Sequence, residues 1–253
     1  MQDLQAWLPK IEASNADFRR GIGPFKIGLF RLVSYLVAGP RLALAALSGR
    51  LQPSRPAPFQ WPWLPRWPGL AAKPVHLDRD HAWTERVRAA GHEILAEMDA
   101  VRAGFARARY DSDANPTEWN TYYFFLQGKP IAEHLAACPR TAALLDTLPH
   151  NGLHVCFSAI QPGGSLHPHT GPTNVSLTAH LGLRNCAGAK LFVGEKTVDY
   201  RDGEVLVFDD SFVHWVENSG TAVRYTLMIT FWHPSLTGLE RAFLSRALKV
   251  GAG

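Results

Sequence analysis

The chain has 253 residues, enough for one large domain or for a domain with a smaller appendage. Hydrophobic residues make up 46% of the chain and charged residues 19%, a composition that excludes an intrinsically disordered protein. The net charge of +4 is unevenly distributed, because residues 1–74 contain ten Lys and Arg but only three Asp and Glu. The remaining residues are mildly acidic, which excludes a general nucleic-acid binder.

The most apolar stretch of the chain is residues 24–48. It starts too far from the terminus for a secretory signal and lacks the charged start and cleavage pattern. Arg31, Pro40 and Arg41 interrupt it, which disfavours a membrane span. Two interpretations stay open. The stretch forms one or two helices packed on the domain, or it forms an interfacial helix that contacts an anionic membrane peripherally through residues 24–50.

The segments after this stretch predict a strap, then helices around one strand. Residues 52–68 contain six prolines and three tryptophans, which is typical of an extended strap across a surface. Apolar residues recur at helical spacing over residues 79–104. The aromatic run at 119–127 predicts a strand, and residues 130–148 predict a helix whose second part begins at Pro139.

From residue 152 to residue 233 the pattern changes to short alternating runs that are separated by Gly, Pro and Asn. Strands this short and this frequent predict a β-barrel or a β-sandwich. Thr237 and Glu240 then stand three residues apart before an apolar run. This spacing is the signature of a capping box and predicts a last helix.

Three side chains of the β region point to metal and carboxylate chemistry: His169, His214 and Arg224. We expect His169 in a loop just before a strand, His214 at the start of a strand, and Arg224 on the next strand. In a small double-stranded β-helix such positions converge at the barrel mouth. Two neutral imidazoles there would bind a first-row metal such as iron(II), and an arginine would hold a carboxylate through its bidentate fork. Each residue alone has an ordinary explanation, but together they indicate a 2-oxoglutarate-dependent oxygenase.

The run at residues 175–183 strengthens this interpretation. Apolar residues occupy its odd positions, whereas Thr178 and His180 occupy even positions. Because alternate side chains of a strand share a face, Thr178 and His180 would both point into the barrel. Ser158, on an earlier strand, could do the same.

At these residues the sequence resembles the aspartyl/asparaginyl β-hydroxylase family of iron(II)- and 2-oxoglutarate-dependent dioxygenases. The resemblance covers roughly residues 119–240. It rests on HTGPTN at 169–174, HLGL at 180–183, DGEVLVFDDSFVHWVEN at 202–218, Arg224 and WHPSLT at 232–237. The run CPRTAALL at 138–145 resembles the segment that precedes the family's barrel. For the first 75 residues we recognise no counterpart in the family.

The resemblance implies a hydroxylase that uses iron(II), 2-oxoglutarate as cosubstrate, and O2. It implies that His169 and His214 bind the iron. It also implies that Arg224, helped by Ser158, holds one carboxylate of 2-oxoglutarate. His180 matches a histidine near the cosubstrate's other carboxylate.

Two positions bear on how closely the site follows that pattern. Most such oxygenases carry a carboxylate two residues after the first histidine, but Gly171 stands there, as it does in the β-hydroxylase branch. A vacant position could instead admit chloride and allow halogenation, although the surrounding blocks favour the hydroxylase branch. Thr178, counted with the cosubstrate-binding residues, stands where the family has an arginine. We therefore expect weaker cosubstrate binding or a differently charged substrate.

Together these observations predict an α+β, mainly β fold. A double-stranded β-helix of the jelly-roll, cupin-like type lies at about 119–235 and is buttressed by helices. An N-terminal extension covers residues 1–75, with helices and a Pro/Trp-rich strap, and the dioxygenase domain covers residues 76–253.

The expected substrate is a peptide, protein or small molecule, with the β-carbon of an aspartyl or asparaginyl residue favoured. One alternative is a hydroxylase of a lipid-linked acyl chain at the membrane surface. Another is a cupin-like barrel that binds without catalysis. The three widely spaced cysteines predict a reducing, cytoplasmic location, which would be peripheral to the membrane if residues 24–50 make that contact.

Overall fold

A computed structural model of the protein describes residues 4–51, 57–108 and 118–248. The helices in these ranges are α1 (Leu4–Ile22), α2 (Pro24–Leu47), α3 (Thr84–Ala89), α4 (Gly91–Ala100), α5 (Ala132–Ala137), α6 (Pro139–Leu145) and α7 (Gly238–Leu248). The first strands are β1 (Val75–His76), β2 (Ala106–Arg107), β3 (Trp119–Leu126), β4 (Lys129–Pro130), β5 (His150–Ile160) and β6 (Ser165–His169). The later strands are β7 (Ser176–Arg184), β8 (Ala189–Val193), β9 (Lys196–Asp199), β10 (Val205–Phe208), β11 (His214–Asn218) and β12 (Arg224–Trp232).

The strands form two antiparallel sheets. The larger sheet has the order β1-β10-β7-β12-β5-β3-β2, with β4 paired to β3, and the smaller sheet has the order β6-β11-β8-β9. Strands β5 to β12 therefore divide between two facing sheets, with β5, β7, β10 and β12 in one and β6, β8, β9 and β11 in the other. This arrangement is a double-stranded β-helix. It confirms the predicted α+β, mainly β, jelly-roll fold.

The larger sheet separates two hydrophobic cores, because successive side chains along each of its strands point to opposite faces of the sheet. Its outer face packs against α3 to α6 through residues such as Ile94, Phe157 and Leu227. Its inner face meets the smaller sheet, where Ile160 and Phe208 belong to a second core. On β7 the odd positions join the outer core, so the even positions, which include Thr178 and His180, face the barrel interior.

The helices differ in detail from the sequence predictions. The spacing over residues 79–104 corresponds to two helices, α3 and α4, which meet at Ala90. Pro139 is the first residue of α6, as predicted. The capping box is also confirmed, because the Thr237 N–H and hydroxyl both donate to the Glu240 carboxylate and the Glu240 N–H donates back to the Thr237 hydroxyl at 3.3 Å.

The N-terminal extension begins with two helices, of which the first was not predicted. Of the one or two helices expected for residues 24–48 the structure has one, because α2 continues through Pro40. Pro40 and Leu36 are both exposed, so solvent can satisfy the Leu36 carbonyl that the proline leaves without an N–H donor. By length and composition alone, α2 could cross a bilayer.

Residues 57–68 form the described part of the predicted strap, and together with residues 69–74 they contain no helix or long strand. Residues 52–56 of the predicted strap lie outside the described residues. A third hydrophobic core joins the strap to α2 and α7, with Trp67 packed near Ala38 and Leu244. The boundary between residues 75 and 76 stays a prediction.

The three cysteines are buried and free. Burial raises the pKa of the Cys138 and Cys186 thiols to about 12, so both remain protonated at neutral pH. The predicted reducing location stays a prediction.

Candidate active site

Two histidines face each other at the mouth of the barrel. His169 is the last residue of β6, and the prediction that it lies in a loop is wrong. The strand reaches His169 because its partner strand β11 begins at His214, directly opposite. The two ring centroids are 4.2 Å apart. His214 is buried, whereas His169 is exposed, so the pair is reachable from solvent.

The hydrogen bonds of this pair favour metal binding. His169 Nδ1 lies 2.7 Å from the His167 carbonyl oxygen, and His214 Nδ1 lies 2.9 Å from the Phe212 carbonyl oxygen. A carbonyl only accepts, so each Nδ1 carries the hydrogen and each Nε2 presents a lone pair. Burial and the neighbouring His169 hold the pKa of His214 well below its usual value, which keeps this imidazole neutral. The two residues therefore fit as ligands for iron(II).

A third protein ligand does not join them. Among the described residues no group of three His, Cys, Asp or Glu side chains converges on a metal position. A Cβ at Gly171 would lie 2.6 Å from the Asp210 carboxylate, so the space that a side chain there would need is already occupied. The described residues thus offer two imidazoles at this position, and their role as iron ligands stays a prediction.

Asp210 is not among the predicted site residues, yet it connects the two histidine-bearing segments. Its carbonyl accepts the Gly171 N–H at 2.6 Å, and its Oδ2 accepts the Thr178 hydroxyl at 3.2 Å. Its Oδ1 is buried without a partner, and burial raises the pKa of this carboxyl group to about 7. No spacing rule would have identified Asp210, because its contacts come from the barrel topology.

Arg224 lies at the start of β12 inside the barrel and is 1% exposed. Its Nη1 donates to the Thr226 hydroxyl at 2.7 Å, and its guanidinium carbon lies 4.7 Å from the Tyr200 ring centroid. Its Nε is buried without a partner. Within the described ranges, none of the ion pairs involves Arg224. A buried cation without a counter-ion is costly, so this pocket suits an anion.

Ser158 lies beside this arginine pocket. It is paired in register with Thr226, so its side chain shares the inner face with Arg224. The Ser158 hydroxyl accepts a hydrogen bond from Trp119 Nε1 at 3.0 Å and can still donate its own hydrogen. Thr226 and Trp119 were missed, although the position of Thr226 two residues after Arg224 on one strand could have indicated it.

His180 is connected to Arg224 through Tyr200. His180 Nδ1 lies 2.7 Å from the Tyr200 hydroxyl. Burial and the charge of Arg224 lower the pKa of His180 to about 3, and burial raises the pKa of Tyr200 to about 12. Both groups are therefore neutral. Tyr200 can donate to Nδ1, which leaves the ring hydrogen on Nε2, an atom that is buried without a partner. Phe208 contacts both His180 and His214, so these groups form one continuous interior.

Thr178 does not reach the arginine pocket through any hydrogen bond within the described part of the chain. Its hydroxyl is used by Asp210 instead. The six predicted residues thus fall into a histidine pair at the barrel mouth, an arginine pocket with Ser158, and two side chains of β7, His180 and Thr178. Their roles stay predictions.

The N-terminal extension builds one wall of the barrel mouth. The Trp7 ring stacks on His167, with centroids 4.5 Å apart, and Asn15 Nδ2 donates to the Thr170 hydroxyl at 3.3 Å. The strap adds backbone hydrogen bonds from Trp61 to the Ser211 carbonyl and from Leu64 to the Pro172 carbonyl, both at 2.9 Å. These contacts hold the segments that follow His169 and precede His214.

The fold, the histidine pair and the buried arginine place the chain in the double-stranded β-helix class that includes 2-oxoglutarate oxygenases. Residues 86–234 match the model of one family in particular, Aspartyl/Asparaginyl beta-hydroxylase, and the chain belongs to that family.

Curated relatives agree with this assignment. The chain is 33% identical over 171 residues to aspartate beta-hydroxylase domain-containing protein 2 of Xenopus tropicalis, covering 62% of this chain and 46% of the relative. It is 32% identical over 191 residues to human aspartyl/asparaginyl beta-hydroxylase, covering 70% of this chain and 25% of the relative. The chain therefore spans less than half the length of these relatives.

Solved structures are more distantly similar. A Trichoplax adhaerens prolyl hydroxylase in complex with a peptide fragment of hypoxia inducible factor is 14% identical, with a TM-score of 0.42, and covers 61% of this chain and 81% of its own. A Pseudomonas putida prolyl-4-hydroxylase is 17% identical, with a TM-score of 0.38, and covers 56% and 87%.

Proposed function

We propose that this chain is an iron(II)- and 2-oxoglutarate-dependent hydroxylase. The observation that carries the proposal is the buried guanidinium of Arg224, which has no counter-ion within the described residues, in the same barrel as two imidazoles whose Nδ1 atoms face backbone carbonyls, so that the lone pair of each ring lies on Nε2. A dicarboxylate that also chelates iron would pair with the Arg224 guanidinium and, through the iron, with the two imidazoles. Membership of the hydroxylase family supports the reaction class.

In this proposal the chain's residues bind and orient the cosubstrate. Arg224 donates to the carboxylate of 2-oxoglutarate that lies deepest in the barrel, and the hydroxyls of Ser158 and Thr226 lie beside it. His180 donates its Nε2 hydrogen towards the other end of the molecule. His169 and His214 hold the iron, which when bound supplies the activation of O2 that is coupled to decarboxylation of 2-oxoglutarate.

The barrel interior also limits access of water to this site. Phe208 packs between His180 and His214 and is 2% exposed. Neutral histidines and protonated Tyr200 add no charge besides that of Arg224. A dry interior strengthens the attraction between Arg224 and a bound carboxylate and protects reactive species from side reactions.

Thr178 sets this chain apart from the pattern that the resemblance implies. An arginine at this position would bring a second cation into the interior, whereas Thr178 only donates to Asp210. We therefore propose a weaker hold on one carboxylate, either of the cosubstrate or of the substrate.

The proposed substrate is a peptide, a protein or a small molecule with an aspartyl or asparaginyl β-carbon. The family supports this choice, and the short coverage of the relatives leaves it a proposal. A lipid-linked acyl chain is the second candidate, because α2 exposes a large apolar surface near the wall of the barrel mouth. Both substrates would reach the site past the N-terminal extension. The proposed location is cytoplasmic.

The test is turnover of 2-oxoglutarate by the purified full chain with iron(II). We expect succinate from the wild type and none from His214→Ala, which should also lose iron because one of two ligands is gone. His167→Ala is the matched control, since its side chain stacks on Trp7 and binds no metal in this proposal. Mass spectrometry on Asp and Asn peptides and on acyl lipids should show the gain of one oxygen atom.

Folded wild-type protein that contains iron but forms no succinate under any condition would contradict the proposal. That result would favour the cupin-like binding barrel. Equal iron content in His214→Ala and wild type would contradict the assignment of the ligands.

A further inference from the structure

Helix α2 is oriented with its small residues inward and its large apolar residues outward. Only Ser34 and Ala38 are fully buried. At about 100° per residue, five large apolar residues fall within an arc of about 60° on the opposite side of the helix. We call them the α2 ridge: Phe25, Leu29, Leu32, Leu36 and Leu47, whose exposed fractions run from 49% to 87%. An ordinary surface helix buries such an apolar face in the protein core. The exposed ridge therefore indicates contact with an apolar environment outside the chain.

The charge around the ridge has a single sign. Residues 18–77 contain nine Lys and Arg and no Asp or Glu. On α2, Lys26 and Arg31 flank the ridge on either side, roughly 100° to 120° away from Phe25. This combination of an apolar ridge and flanking cations is typical of helices that lie in the interface of an anionic membrane.

A cavity lies beside the ridge. It has a volume of about 460 Å³, is open to solvent on one side and lies between α1, α2 and the strap. Arg31 and Tyr35 line it from α2 and Arg66 from the strap, while Glu12 is the acidic residue in its lining. Neither the Arg31 nor the Arg66 guanidinium forms a hydrogen bond or ion pair with another described residue, and burial lowers the pKa of Arg66. Two cations without partners in one cavity suit a phosphate group.

We propose that this face binds the surface of an anionic phospholipid bilayer. The α2 ridge inserts at the level of the acyl chains, and Arg31 and Arg66 receive a lipid phosphate in the cavity. The helix lies in the membrane surface without crossing it, because Arg41 on its inner face is bound to the Glu240 carboxylate at 3.0 Å. A second copy of the chain is a poorer occupant, since pairing two ridges would bring together surfaces of like charge.

The test is sedimentation of the full chain with vesicles of phosphatidylcholine, alone or mixed with phosphatidylglycerol. We expect at least tenfold tighter binding to the anionic vesicles and a loss of this preference at high salt. Leu36→Asp should abolish sedimentation, because it places a charge on the ridge. Leu77→Asp, a half-exposed leucine outside α2, is the matched control and should bind like wild type.

The cavity is tested separately. Arg31→Gln/Arg66→Gln should reduce the preference for anionic vesicles, while Arg140→Gln/Lys196→Gln, on exposed surfaces of the barrel domain, should not. Equal binding to both vesicle types, or unchanged binding by Leu36→Asp, would overturn the proposal. A dimer in solution that Leu36→Asp dissociates, without vesicle binding, would also overturn it and assign the ridge to a second copy.

This proposal does not depend on the proposed hydroxylase reaction. Succinate formation from soluble 2-oxoglutarate needs no membrane, so vesicle binding and turnover can fail independently.

Discussion

Arg224 has surroundings that would destabilise most buried side chains. Its guanidinium is enclosed, its Nε has no partner, and its main polar contact is the neutral Thr226 hydroxyl. Desolvating a cation costs several kcal/mol unless a counter-ion compensates, so the unliganded protein carries this cost. The carboxylate of a ligand would remove it. The desolvation free energy of Arg224 therefore favours binding of an anion over binding of a neutral ligand.

Arg224→Met should weaken the binding of 2-oxoglutarate without lowering the stability of the protein. The apolar side chain fills a similar volume, so the melting temperature of the unliganded protein should not fall. The affinity for 2-oxoglutarate should fall by about 100-fold or more, because a buried carboxylate is left unpaired. Calorimetry would measure both quantities, with Arg184→Met as control, since Arg184 pairs with Asp99 near the surface. Unchanged affinity in Arg224→Met would exclude its role in cosubstrate binding.

His233 gives a pH dependence of stability. Burial and the neighbouring His76 lower its pKa from 6.5 to about 3 in the folded protein. Between pH 6 and pH 4 the unfolded chain therefore binds a proton that the folded chain does not, and stability falls as the pH falls. This group contributes a slope of up to about 1.4 kcal/mol per pH unit in that window.

His233→Asn should remove this contribution. The asparagine oxygen can still accept the Ser235 N–H, which His233 Nδ1 accepts at 3.2 Å. Urea unfolding at pH 4, 5 and 6 should then show a shallower pH dependence for the variant than for the wild type. If the free energy of unfolding changes with pH equally in the variant and the wild type, His233 does not cause the pH dependence.

The meeting of the β6–β7 loop with the turn before β11 depends on a glycine. Gly171→Ala would place a methyl group 2.6 Å from the Asp210 carboxylate, so one of the two segments must move. We expect a lower melting temperature for Gly171→Ala and partial recovery when Asp210→Ala is added, because the second change removes the obstructing atoms. Gly28→Ala, with open space around it, is the control. If the decreases in melting temperature of Gly171→Ala and Asp210→Ala simply add in the double variant, the two residues are not coupled.

Elements with a strong period were predictable from the sequence. The alternation in residues 175–183 corresponds to β7, and the aromatic run to β3. Helix α1 was not predicted, because it buries only Ile11 and Asn15 and depends on partners far along the chain, such as Thr170. Its residues are polar on average, so its composition did not mark it as a packed element even though its apolar residues recur at a helical period.

The site residues also divide into those that a sequence pattern could indicate and those that only the folded barrel brings together. The spacing of His169, His214 and Arg224 was readable because each lies at the end or start of a strand. Tyr200 and Asp210 could not be predicted, since only the closed barrel brings Tyr200 to His180 and Asp210 to Gly171. Contacts between residues distant in sequence leave no local pattern.

Across the whole molecule, Glu240 joins the extension to the C-terminal helix. Its buried carboxylate accepts hydrogen bonds from Arg41, from Trp67 Nε1 at 2.8 Å and from Thr237. Burial alone would raise its pKa, but these hydrogen bonds and the charge of Arg41 together lower it. One carboxylate thus fixes α2, the strap and α7 to one another.

Glu240→Gln should therefore lower the free energy of unfolding by about 3 kcal/mol, because Arg41 loses its counter-ion in a largely buried setting. Limited proteolysis should also cleave the strap faster in this variant, since the amide has one acceptor oxygen where the donors of Arg41, Trp67 and Thr237 share two. Glu204→Gln, on the surface, is the matched control. A free energy of unfolding equal to that of wild type would show that this cluster contributes little.

The distance between α2 and α7 along the chain also sets an order of events during synthesis. About 190 residues separate the end of α2 from the start of α7. At translation rates of roughly 5–20 residues per second, this interval lasts about 10–40 s. During it Arg41 has no Glu240 to bind, and the inner face of α2 lacks the part of its core that α7 supplies. If the proposed membrane contact forms, a nascent chain can reach the bilayer before its last helix exists, and the barrel then folds beside the membrane.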